Sequence, residues 1–294
     1  MSLGSFLVIL SSLAFGTLAL FAQRSYEAGF GQVTLLMVRF GIATALLLIL
    51  ALWKKPAWPN KRKVIGLLVM GALYVGQSYT FFAALKHVPA SMVSLLLYLY
   101  PGIVTIAAVF LFQEKMFLGK WLAVGLAILG SVLIVGVSGA GNLPGIAFGV
   151  GTALFYSAYL LVGTKVLDGV DSLASSTIVM ATAAVAYAIF ATIQGFQWPT
   201  ETVGWSWAIA LAVIPTFVAI STLLAGLDRV GPVATSTLAA VEPLATAALS
   251  VAFLGERMGV VQLLGGACIL AAVLMLARVS KGSEPPQAVS SASA

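Results

Sequence analysis

Few side chains in this chain can do chemistry, and two of them carry charge inside long apolar stretches: Glu242 within 231–254 and Arg39 within 31–53. An ionised carboxylate in the middle of a membrane helix costs about 2.5–3.5 kcal/mol even on lenient insertion scales. Glu242 must therefore be protonated, paired or wet. It is a proton-coupling group, a contact for a substrate ammonium, or a structural carboxylate. Arg39 holds a carboxylate through its forked donors, snorkels to the surface, or fixes a helix contact. Gln77 both donates and accepts, which suits either an amino-acid backbone group or a bond to a neighbouring helix. Polar and aromatic residues recur at helical spacing around these three. One stripe holds Tyr74, Gln77, Ser78 and Phe81, and a second holds Ser91, Ser94, Tyr98, Gly102 and Thr105. Thr152, Tyr156 and Tyr159 form a third, and Thr235, Ala239, Glu242 and Thr246 a fourth. Taken singly, each stripe is also ordinary helix packing. Together they predict a polar cavity with aromatic walls, whose chemistry is recognition.

Bond-breaking chemistry has no apparatus here. One histidine, His87, and one cysteine, Cys268, exclude histidine clusters, disulfide frameworks and cysteine-ligated metal. Neither a phosphate loop nor a His-Glu-x-x-His motif occurs, and no Ser-His-Asp set is convincing. The expected complement of cofactors and metals is none, and uphill work must borrow a gradient.

The elements that position these residues follow from composition. Of 294 residues 61% are hydrophobic and 8% charged, against about 25% charged in soluble domains, and the mean hydropathy is +1.09. Such a chain cannot cover itself with polar surface, so a water-soluble enzyme is excluded. Continuous apolar runs such as Leu35 to Trp53 also exclude a β-barrel, whose strands alternate. The start lacks a basic region, so the first apolar run is expected to be retained. Apolar runs predict an all-α membrane protein of ten spans: 3–22, 31–53, 64–85, 90–112, 118–138, 145–166, 172–194, 203–225, 231–254 and 258–279. With both termini cytoplasmic, the inner connections and tail collect eleven Lys and Arg, five of them between Lys54 and Lys63, against Arg24, Lys86 and Arg257 outside. This bias predicts that topology and accounts for the net charge of +6 without a nucleic-acid partner. Residues 280–294 read as a disordered cytoplasmic tail. The Gly145-x-x-x-Gly149 spacing permits close helix approach, within a monomer or in a homodimer, and both stay open.

The chain repeats itself at a shift of 142 positions. Leu85-Lys-His-Val-Pro-Ala falls on Leu227-Asp-Arg-Val-Gly-Pro, Ser94 on Ser236, Pro101 on Pro243, and Glu114-Lys115-Met116 on Glu256-Arg257-Met258. Two five-helix halves are expected, 1–138 and 145–279. Five is odd, so they are inverted relative to each other, an architecture of many secondary transporters. Pro101 and Pro243 each remove a backbone hydrogen bond near mid-span, predicting paired kinks at the cavity. Phe15 and Phe155, aligned at a shift of 140, are expected to act as gates. Glu114-Lys115 and Glu256-Arg257 are expected to be structural, each carboxylate complementing the dipole of the helix that follows.

These residues resemble the EamA family of the drug/metabolite transporter superfamily. The likeness is carried by Leu227-Asp-Arg-Val-Gly-Pro-Val-Ala-Thr-Ser236, Val241-Glu-Pro243, Phe253-Leu-Gly-Glu-Arg257 and Arg39-Phe40, with a weaker first copy around Pro101 and Glu114. It implies a ten-helix carrier built from two inverted repeats. Within the family the chain looks most like the YddG-type exporters of aromatic and other amino acids. That implies export of amino acids or similar small amphipathic metabolites across a bacterial-type inner membrane. Phe15, Tyr74, Gln77, Ser78, Phe81, Ser94, Tyr98, Gly102, Tyr156, Tyr159 and Glu242 are the candidate binding residues. A channel, or a carrier of lipids or other metabolites without proton coupling, is the alternative. The first copy departs from the second in having Tyr100 where the second has Glu242, so a symmetric pair of carboxylates is absent.

Overall fold

The computed structural model describes residues 2–113, 116–137 and 143–281. The described residues are helical and include no strand. In chain order the helices are α1 (Leu3–Gly16), α2 (Leu18–Glu27), α3 (Gln32–Lys54), α4 (Lys61–Ala84), α5 (Ala90–Leu97), α6 (Tyr100–Phe112) and α7 (Leu118–Val137). After them come α8 (Leu143–Val166), α9 (Ser172–Gln194), α10 (Val203–Ala212), a π-helical turn (Val213–Val218), α11 (Ala219–Ala239), α12 (Val241–Phe253) and α13 (Val260–Lys281). By length and composition eight continuous or broken helices can cross a membrane. Leu118–Ile134 and Val241–Phe253 are shorter apolar helices. Glu114, Lys115 and 282–294 lie outside the described residues, and with them the readings made of the first acidic-basic pair and of the tail.

Local chemistry explains why several expected spans are interrupted. The Thr17 hydroxyl donates to the Ala14 carbonyl (2.7 Å), so the first span becomes α1 and α2. The connection expected near 226–230 is helical instead: α11 runs on to a kink at Gly231, whose φ of 75° and ψ of 169° a side-chain-bearing residue rarely adopts. The fourth and ninth spans are breaks as much as kinks. Pro101 and Pro243 sit in the first turns of α6 and α12, where a missing N–H costs nothing, and the chain breaks two or three residues before each.

The most extensive helix contacts join one half of the chain to the other: α1 with α11, α4 with α8, α3 with α9, and α7 with α13. A shift of 142 carries α1 onto the start of α8 and α4 onto α10 and the start of α11. It therefore exchanges the first two pairs and maps each of the last two onto itself. Small residues permit these contacts: a Cβ at Gly145 would lie 2.7 Å from Val88, and one at Gly149 2.6 Å from Leu96. That glycine spacing thus serves packing of α8 on α5 and on the turn before it within the chain.

Candidate functional site

The broken helices surround a cavity of about 470 Å³, within the range of small-molecule sites. Phe15 on α1, Tyr74, Gln77, Ser78 and Phe81 on α4, Ser94 on α5 and Tyr98 at its C-cap, Tyr156 and Tyr159 on α8, Glu242 on α12 and Arg39 on α3 all line it. Most of the predicted stripes thus converge on one space. Gly102, Pro101 and Pro243 do not line it. The prolines act indirectly, by setting the breaks that present Tyr98, Tyr100, Ala239 and Glu242.

Two placements correct the sequence reading. Gly102 faces α7, where an added Cβ would lie 3.8 Å from that of Ala127. Bulk is therefore expected to act differently at the two positions. Gly102→Ala should leave transport intact and raise stability by up to about 1 kcal/mol through helix propensity. Ser94→Leu, at a residue 4% exposed on the cavity wall, should abolish flux; measurements of flux and thermal unfolding check both. Phe155 is 40% exposed, packs against Gly76 of α4 and does not line the cavity. At the register of 142 Phe15 aligns with Ser157, which is buried and donates to the Ala153 carbonyl (2.7 Å).

One pole of the cavity is Arg39. It is 2% exposed, so it does not snorkel. Its Nε donates to Thr216 Oγ1 at 2.9 Å. Its guanidinium lies 4.9 Å and 5.4 Å from the ring centroids of Phe40 and Phe82, and Tyr74 packs edge-on against Phe40 (5.7 Å). Thr216 belongs to the π-helical turn and itself donates to the Leu211 carbonyl five residues back (2.9 Å). The wider helical turn thus places an acceptor where the guanidinium needs one. Phe40 in turn stacks on Tyr187 (5.5 Å, 4°), whose hydroxyl donates to the Val75 carbonyl (2.8 Å). Among the described residues the one ion pair is Arg24–Glu27, at 2.7 Å, so Arg39 brings its charge to the cavity without a paired carboxylate.

The other pole is Glu242, in the first turn of α12. Tyr98 lines the cavity with it, and the Tyr98 hydroxyl donates to the Ala239 carbonyl (3.3 Å), the group Pro243 leaves without a helical donor. One phenol therefore ties the break between α5 and α6 to the break between α11 and α12. Tyr98→Phe should lower stability by about 1 kcal/mol, the cost of an unmet carbonyl at that long distance, and slow turnover; unfolding and flux assays measure the two effects. A ladder of tyrosine rings runs between the poles. Centroids lie 5.9 Å apart for Tyr98 and Tyr100, 4.8 Å for Tyr100 and Tyr156, 5.9 Å for Tyr156 and Tyr159, and 5.7 Å for Tyr159 and Tyr74.

Tyr100, Ser11, Ser12, Phe82 and the Ser172–Ser176 region also line the cavity, and sequence reasoning did not select them. The repeat register could have found some. Five lining pairs are 142 apart: Ser78 and Ile220, Phe81 and Leu223, Phe82 and Leu224, Leu97 and Ala239, Tyr100 and Glu242. Thr216, the hydrogen-bond partner of Arg39 Nε, and Tyr74, which packs on Phe40, are also 142 apart.

The cavity ends differ. At one, Leu167 is 39% exposed and Ser172, Ser176 and Leu227 line the wall, so the space reaches the surface at the α8–α9 connection. There Lys63 Nζ donates to the Lys165 and Asp168 carbonyls (3.0 and 2.9 Å). At the other, Gln23 donates to the Leu85 carbonyl (2.7 Å), Tyr26 to that of Phe82 (3.0 Å), and Arg24 to that of Phe253. Leu85 is 3% exposed there, whereas Leu227, its counterpart in the register, lines the open end.

Fold and cavity define a multi-pass helical membrane protein with a central chamber of mixed aromatic, apolar and polar lining, open at one end. The model of the EamA-like transporter family matches it twice, over residues 2–136 and 143–278. The chain belongs to that family. An uncharacterized transporter of Archaeoglobus fulgidus is 28% identical over 275 residues, spanning 94% of this chain and 96% of the relative. A crystal structure with 20% identity superposes with a TM-score of 0.67, covering 95% of this chain and 99% of that one, which shows the fold alone.

Proposed function

We propose that this protein is a secondary transporter that exports amino acids, aromatic and other neutral ones, or similar small amphipathic metabolites across the inner membrane, in the manner of YddG-type exporters. Ten spans in two inverted repeats, 1–138 and 145–279, with both termini cytoplasmic, provide the frame. The observation that carries the reading is the cavity, with an unpaired guanidinium at one pole, a carboxylate at the other and tyrosine rings between. A substrate carboxylate meets Arg39, an ammonium meets Glu242, and an apolar or aromatic side chain lies along the tyrosines. Alternating access is supported by the opposite states of two ends that the repeat makes equivalent in sequence. By the distribution of Lys and Arg the open end, beside Lys63, is the cytoplasmic one. Closure at the other end favours a carrier over a channel.

Uptake and efflux in proteoliposomes with a panel of labelled amino acids, with and without an imposed pH gradient, test this. Saturable flux with counterflow of neutral amino acids is the expected result, and non-saturable flux, or none for any amino acid, contradicts it. If Glu242 also couples protons, Glu242→Gln abolishes gradient dependence.

A further inference from the structure

Glu256 does not serve the helix that follows it. Gly255, at φ +68°, turns the chain back at the end of α12, and the Glu256 carboxylate reaches across to α5. Oε1 accepts from the Ala90 N–H at 2.5 Å, and Oε2 accepts from the Ser91 N–H at 3.2 Å and the Ser91 hydroxyl at 2.6 Å. Pro89, at the N-cap of α5, supplies no side-chain cap of its own. The first donors of a helix in the first half of the chain are thus satisfied by a carboxylate from the second half, at the positive end of the helix dipole. Charge-assisted bonds of this kind are about twice as strong as neutral ones.

α5 is also the element whose displacement would open the closed end. It starts at the turn carrying Leu85 and Val88, it carries Ser94, Leu97 and Tyr98 into the cavity wall, and it ends at the break before α6. A short helix with a break at one end and a borrowed cap at the other can move as a piece. We propose that the Glu256 carboxylate is the latch of the closed end: its bonds to Ala90 and Ser91 hold α5 against α12, and their release is part of each opening. This role is independent of which substrate the cavity takes.

The test measures distances in the full-length protein in lipid nanodiscs. Spin labels on cysteine pairs in a Cys268→Ala background report the closed end (His87 with Gly259) and the open end (Asp168 with Arg229). Glu256→Gln weakens the charge-assisted bonds, and Ser91→Ala deletes the shortest side-chain contact. In Glu256→Gln the separated population at the first pair should rise about tenfold while the second pair shortens. Ser91→Ala should do the same to a smaller extent, and Glu256→Asp should restore part of the closed population. Unchanged distances in the folded variants would overturn the proposal. So would lengthening at both ends together, the signature of a loosened structure. If Glu256→Gln fails to fold, Ser91→Ala alone decides: no shift at either pair refutes the latch.

Discussion

Glu242→Gln yields a folded protein that no longer transports amine-bearing substrates. The amide keeps the size of the side chain, and the tie between the two helix breaks survives because it runs from the Tyr98 hydroxyl to the Ala239 carbonyl. What disappears is the charge. Losing one member of a desolvated charge pair costs about 2–5 kcal/mol, so flux at sub-saturating substrate falls by about thirtyfold or more. Stability should stay level or increase, because the unbound state no longer holds a carboxylate within the membrane. Flux and thermal unfolding of the same preparation measure both quantities. A purely structural carboxylate predicts the reverse pattern, with lost stability and retained transport.

Arg39→Met produces the second large loss. A buried charge without a counter-ion costs several kcal/mol, and replacing such charges by apolar groups of similar volume is often neutral or stabilising. The Thr216 hydroxyl keeps its bond to the Leu211 carbonyl in the variant, so no donor is orphaned. Melting temperature should therefore hold or rise, while transport of carboxylate-bearing substrates falls about a hundredfold, the scale of a lost charge-assisted bidentate contact. Arg39→Lys should fail nearly as badly, since an ammonium lacks the planar fork that engages Thr216 and a carboxylate together. Expression and unfolding curves beside flux distinguish this from an arginine that merely fixes a helix contact, for which Arg39→Met would melt early.

Much of the helical frame was legible because membrane helices leave long apolar runs, and four faces of polar and aromatic residues supplied about a third of the cavity lining, Glu242 among them. What escaped the sequence reading has identifiable physical causes. Gly102 shares a helical face with Ser94 only if the helix is continuous, and the break before Pro101 rotates α6 away. Phe155 was paired with Phe15 at a shift of 140, two residues off the register that places Ser157 opposite Phe15. Thr216 carries no signal in the sequence, because a π-helical turn leaves no simple periodic signature. Glu256 was assigned to its own helix because only the fold brings α5 within reach. Tyr100 is legible as the partner of Glu242 in the repeat, and both line the cavity: the first half supplies a phenol, the second the acid.

The most direct measurement is binding of one aromatic amino acid, its N-acetyl form and its amide to the purified protein in nanodiscs. The intact zwitterion should bind at least about tenfold more tightly than either blocked form, the scale of one lost charge-assisted contact. Glu242→Gln should erase the penalty for N-acetylation and Arg39→Met the penalty for amidation. Equal binding of all three forms, or penalties untouched by either substitution, would contradict a cavity that reads an ammonium at Glu242 and a carboxylate at Arg39.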